Sequence, residues 1–240
     1  MSRSLLDTRL RGLLKESRDR LKVRELCYCY DIANPDDWRC RLKDHHRLLK
    51  CFVKRRNLFA SSEPALQLWR RKSSFIADER LNLAPLFSQT VFVWPEHQLS
   101  PRLQRQMRDL GAAALVTISI PCRLSTRFTG RFTLMVQAGE QLDNLKANLA
   151  EIEEYLSQLQ MEIIMSLGKE INPLIDYNIV SPVSAYVLAC LADGQDREQV
   201  SKKLSLTLRG VDYHIGVLKE VLGARTVAQM MFRAVQCGLV

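Results

Sequence analysis

The most constraining feature of the sequence is a pair of helix-length segments, 197–204 and 208–222, separated by only Ser205, Leu206 and Thr207. In the second segment Val211, Ile215, Leu218 and Leu222 recur every three or four residues and form one apolar stripe. Thr207 stands where a helix N-cap belongs and Gly223 where the helix should stop. Two short helices joined by a three-residue turn, the second longer and polar on one face, describe a helix-turn-helix.

The flanks complete a four-helix unit. Ser181-Pro182 reads as N-cap and first helical residue, Val187, Leu188 and Leu191 as an apolar stripe, and Asp193-Gly194 as the stop. Val200 and Leu204 face inward on the second helix, and 226–237 forms the fourth. On the third helix Leu208, Arg209, Asp212, Tyr213 and Gly216 fall on outward or flanking faces. Arg209 is placed to donate two hydrogen bonds to a guanine edge, and Asp212 to accept from cytosine or orient a neighbour. Lys202, Lys203, Thr207, His214 and Lys219 are expected to meet phosphates. Gly210 is expected to remove a side chain where the helix approaches another surface.

The remainder mixes helices with strands. Residues 4–24 have leucines at helical spacing among charges, and ELCYCYDI (25–32) has strand composition. A basic helical stretch is expected over 36–56 and short helices over 65–72 and 100–110. TVFVW (90–94) reads as a strand, and 113–122 with 130–137 as a hairpin of long strands. Leu142, Leu145, Leu149, Ile152, Leu156, Leu159 and Ile163 make a heptad seam that lies on the chain's own sheet or, if the helix is wide-faced, also pairs with a second copy. Gly168, Pro173 and Pro182 break the pattern, so 168–180 is read as a linker between domains at 1–167 and 181–240. The expected class is α+β: an N-terminal α/β/α sandwich with an antiparallel sheet, then an all-α helix-turn-helix domain.

Charge and cysteine usage narrow the partners. The net charge is +9, and residues 1–60 hold 16 Lys or Arg against 8 Asp or Glu. That balance fits a polyanion partner or a solvated basic helix. No run of about 18 apolar residues spans a membrane, and the first residues lack a secretory h-region. Seven cysteines without framework spacing fit reduced thiols in a cytoplasm. Cys27, Cys29, Cys40, His45, His46 and Cys51 do not match zinc spacings, so no metal ligand is nominated, although metal and a redox thiol stay open. There is no phosphate loop, nucleophile elbow or HExxH, and no catalytic residue is nominated.

Residues 181–240 resemble, without gaps, the DNA-binding domain of LuxR-type transcription regulators. The resemblance is carried by Thr207-x-x-x-Val211-x-x-His214, GVDYHI, the Leu222-Gly223 stop and the closing Ala234…Gly238-Leu239-Val240. Ser184 stands where that family usually has an acidic residue. The stretch 78–136 resembles the acyl-homoserine-lactone-binding domain of the quorum-sensing branch, through FVW (92–94), Pro121 and Gly130. The resemblance implies that Asp78 accepts a ligand amide, that Trp69 and Trp94 line the ligand, and that Thr133 supplies a hydroxyl. It also shows departures: Ala65-x-x-x-Trp69 replaces the family's Trp-x-x-x-Tyr, and Glu79 replaces Pro. An acyl-homoserine lactone or another small-molecule signal is the implied ligand, and no other cofactor is expected.

The expected function is therefore non-enzymatic: a cytoplasmic regulator binding double-stranded DNA as a homodimer, with the heptad helix and Met230, Met231 and Val235 as candidate contacts. A second expectation is an anti-activator that captures another LuxR-type regulator in a heterodimer without a DNA site of its own.

Overall fold

The computed structural model describes residues 3–70, 83–137 and 139–240. Asp78, with Glu79, lies outside the described residues.

Five strands form one sheet in the order β2-β1-β5-β4-β3: β1 (Glu25–Ile32), β2 (Phe59–Ala60), β3 (Val91–Val93), β4 (Ala114–Pro121) and β5 (Phe128–Val136). Every pairing is antiparallel. The expected β4–β5 hairpin is there, and β1 joins its far side with Tyr28 opposite Phe132 and Cys27 opposite Thr133. Because side chains alternate along a strand, this register sorts them by face. Leu26, Tyr28, Tyr30, Phe132, Leu134 and Ile118 share one face; Glu25, Cys27, Cys29, Asp31, Arg131, Thr133 and Thr117 share the other.

Helices cover both faces. α1 (Arg3–Leu21) buries Leu6, Leu10 and Leu14. α2 (His45–Lys54) starts at Asp44, whose carboxylate accepts from the Arg47 amide. Only this part of the stretch expected to be helical over 36–56 is an α-helix, because a 3-10 turn at Pro35–Trp38 comes before it. α3 (Glu63–Arg70), α4 (Ala84–Ser88) and α5 (Pro101–Asp109) follow, with Ser100 capping α5.

The heptad seam is two helices, α6 (Glu140–Ala147) and α7 (Leu149–Leu167), broken at Asn148. Its apolar residues Ile152, Leu156, Leu159 and Ile163 are buried within this chain. Gln160 on α7 reaches Gly130 on β5, so α7 covers the aromatic face of the sheet. Trp69 on α3 meets Trp94, which belongs to the polar face, so α3 covers that one. This is the α/β/α arrangement expected.

Gly130 is required by that packing. A Cβ there would stand 2.2 Å from Gln160 Oε1 and 3.1 Å from the Tyr28 ring. Gly130→Ala is expected to lose about 1–3 kcal/mol through overpacking, and Gln160→Ala in the same chain to recover part of the loss, measured by urea unfolding.

The segment 168–180, expected to be a linker, is packed structure. α8 (Pro173–Asp176) runs through it, and Ile171, Asn172, Leu174, Tyr177, Ile179 and Val180 are all buried. Pro173 opens a helix here instead of breaking a chain. The C-terminal unit comprises α9 (Pro182–Ala192), α10 (Arg197–Leu204), α11 (Leu208–Leu222) and α12 (Val227–Gln236), close to the expected bounds. Among the described residues no helix is long and apolar enough to cross a membrane.

Candidate functional site

The α10–α11 pair is built by its end groups. Asp196 and Gln199 form a reciprocal capping box at the start of α10. Ser205 takes the left-handed conformation, φ 53°, which turns the chain sharply after α10. Thr207 Oγ1 accepts from the Gly210 amide at 3.0 Å and starts α11, and Gly223, φ 64°, ends it. Val200, Val211, Ile215, Leu218 and Leu222 close the core between these helices. Thr207→Ala is expected to cost about 1 kcal/mol of stability, read by thermal unfolding.

With that stripe buried, Arg209, Asp212, Tyr213 and Gly216 lie on one exposed face of α11, at spacings of three, one and three residues. Leu208 is 48% and Tyr213 65% exposed, and Lys202 and Lys203 stand exposed at the end of α10. Lys219 is half-buried.

His214, Asp212 and Gly210 each have neighbours within the chain. His214 turns its Nδ1 to the Ser184 hydroxyl at 3.0 Å, and Ser184 in turn meets Ser181 at 2.9 Å. This His nitrogen joins α11 to the start of α9, so it is not available to a phosphate. Asp212 accepts from Arg197 at 2.9 Å across the helix pair, the role of orienting a neighbour. Within the chain a Cβ at Gly210 would meet Thr207 Oγ1 at 3.3 Å and Leu206 Cβ at 3.8 Å.

On the polar face of the sheet the residues proposed to bind a ligand form a connected group. Trp69 and Trp94 pack edge to face with ring centres 6.1 Å apart. The Trp94 indole N–H donates to Thr117 Oγ1 at 2.8 Å, and Thr117 and Thr133 share a second bond at 2.8 Å. Thr117 was not singled out by sequence, although a Thr in phase with Thr133 on the neighbouring strand is a usable signal. The two hydroxyls carry two protons and the bond between them uses one. The pair therefore retains one donor, beside two indole rings.

A second polar group on this face was missed altogether. Asp31 Oδ2 pairs with Arg131 Nε at 2.7 Å and Arg55 Nη1 at 2.9 Å, all buried. Arg55 also donates to Asp176, to the Tyr177 hydroxyl and to the Tyr30 carbonyl. Asp176 accepts from the amides of Arg56 and Asn57. Two arginines and two aspartates balance, which is what burial of charge demands. Burial pushes the Asp31 pKa up, but Arg55 and Arg131 outweigh it and hold the carboxyl below its ordinary value. The legible signal was an acid in ELCYCYDI and a base in GRFTLMV, both apolar strands that bury charge only in pairs.

All seven cysteines are free thiols. Cys27 and Cys29 are buried on the polar face, whereas His45 and His46 are exposed on α2. Among the described residues no group of three or more His, Cys, Asp or Glu could hold a metal.

No protein-family model and no curated protein matches this chain. Among solved structures it is similar to SdiA of Escherichia coli, with 18% identity, 96% of this chain and 90% of that chain covered, and a TM-score of 0.46. It is also similar to SdiA in complex with octanoyl-rac-glycerol, with 17% identity, 96% and 88% covered, and a TM-score of 0.43. At this identity and score the likeness fixes neither a family nor a function.

Proposed function

We propose that the protein is a sequence-specific DNA-binding transcription regulator of the LuxR quorum-sensing type. The observation that carries this reading is the exposed stripe of Arg209, Asp212 and Tyr213 on a capped α11, with Lys202 and Lys203 beside it. That stripe is the size of a major-groove reading head, and the lysines supply sequence-independent affinity through phosphates. His214 contributes by fixing α11 against α9.

The working form is a homodimer. Met230 is fully buried and is not a contact; Val235, 62% exposed, and half-buried Met231 remain, and Phe232, 64% exposed, joins them. Two copies would then read half-sites one DNA turn apart. Footprinting on genomic fragments tests this: a pseudo-palindromic footprint is expected, and a single asymmetric half-site would defeat the dimer.

The sheet domain takes a small signal with an apolar body and one hydrogen-bond acceptor, matching the two indoles and the remaining hydroxyl donor of Thr117 and Thr133. Acyl-homoserine lactones are the first class to try. A ligand at 100 times its Kd adds about 2.7 kcal/mol, so a melting shift of roughly 5–10 °C is expected with one chain length. Thr133→Val should diminish that shift. An unchanged melt across the lactone series would remove this ligand class.

A further inference from the structure

The C-terminal helical unit meets the sheet domain at one corner, where β1 leaves the sheet and β5 enters it. Asn172, 2% exposed, donates from Nδ2 to the carbonyls of Cys237 at 2.7 Å and Gly238 at 3.1 Å, just past α12. Its Oδ1 accepts from the Leu174 amide at 3.0 Å and caps α8. Gly238 adopts φ 60°, a left-handed conformation that turns the chain end back so that Leu239 N donates to Ala234 O. Beside this, Arg41 pairs with Glu220 of α11 at 3.7 Å. The Arg127 guanidinium lies over the Trp38 ring at 5.2 Å.

These contacts are the middle of a longer path. Upstream, α8 is tied into the sheet by Asp176 and Tyr177, which bind Arg55 and through it Asp31. Downstream, Arg233 of α12 donates to the Leu222 carbonyl, at 2.7 Å, and to Gly223, the end of α11. Hydrogen bonds and short helices therefore connect β1 to the end of α11. The reading face stays outside: Leu208, Arg209 and Tyr213 are all exposed.

We propose that this corner is an intramolecular latch. Asn172 holds the turn after α12 through Cys237 and Gly238, Arg41 holds the side of α11 through Glu220, and together they keep α11 in one orientation with its reading face outward. A latch of this kind sets direction without blocking access. A unit on a tether would sample all orientations instead. The latch does not depend on what α11 reads.

The test is native-state alkylation of the full-length protein, followed residue by residue by mass spectrometry. Cys237 is 2% exposed, and Cys27, buried in the sheet, serves as the internal reporter of the fold. Latched, Cys237 is protected as strongly as Cys27. Asn172→Ala should raise labelling of Cys237 by about tenfold through local opening, with Cys27 unchanged. Cys237 labelled in the parent at the rate of the urea-unfolded chain, with Cys27 still protected, would overturn the latch. If Asn172→Ala loosens the whole fold, shown by Cys27, Arg41→Ala is read in the same way and should give a smaller rise at Cys237. No rise in a variant whose Cys27 stays protected also overturns it.

Discussion

Arg55→Ala is expected to lower the melting temperature by roughly 10 °C. Arg55 spends its donors on Asp31, Asp176, the Tyr177 hydroxyl and the Tyr30 carbonyl, and its side chain is fully buried. Removing it strips Asp31 of one of its two cations and leaves Asp176 with only backbone donors. Breaking a buried pair from one side costs about 3–5 kcal/mol, and each kcal/mol moves the melting point of a chain this size by about 2–4 °C. Arg55→Lys should recover little, because a point charge replaces a planar fork that meets four partners in different directions. A melting point within a degree or two of the parent would show that the cluster contributes nothing net.

The same cluster predicts a pH dependence. Asp31 is held below its ordinary value of 3.8 in the folded state. A depressed acid contributes stability that is fully present above the unfolded pKa and is lost as pH falls through the folded one. The stability gap between the parent and Asp31→Asn should therefore be constant from neutral pH down to about pH 5 and shrink below about pH 4. Thermal unfolding across that range measures it.

Arg209→Ala is expected to weaken binding to the specific DNA site by about ten- to a hundredfold while leaving stability unchanged. The side chain is exposed on α11 and has no partner in the core, so folding does not use it. A bidentate contact to guanine discriminates by about 1–3 kcal/mol, and each 1.4 kcal/mol is tenfold. Lys202→Ala should behave differently. It should weaken specific and non-specific DNA about equally and reduce the slope of log K against log salt by about one. Titrations at several salt concentrations separate the two. If Arg209→Ala binds as the parent does, α11 is not the reading helix, and heterodimer capture of another regulator becomes the better account.

Much of the helical unit was legible because its signals are local. The side chains of Ser181, Asp196, Thr207 and Thr226 each cap the helix that follows by accepting from the backbone amide three residues on. Val211, Ile215, Leu218 and Leu222 mark the buried stripe by spacing alone. The contact of His214 with Ser184 was not foreseen because the two lie 30 residues apart, and only the α9–α11 packing brings them together. Met230 was misplaced because α12 has apolar residues on both faces, and period alone does not say which side is covered.

What the sequence by itself determined is therefore what depends on neighbours within a turn or two: which segments are helix or strand, where they start and stop, and which face is apolar. Tertiary structure alone decided what those faces meet. Pro173 and the run around it look like a linker until Asp176 and Tyr177 find Arg55 and Asn172 finds the Cys237 carbonyl. The heptad seam spends itself on its own sheet, with Gly130 making room for Gln160. The seam does so because Ile152, Leu156, Leu159 and Ile163 bury apolar area there. Around Pro173 the reason is polar satisfaction: the partners of Asn172 and Asp176 lie 65 and 121 residues away.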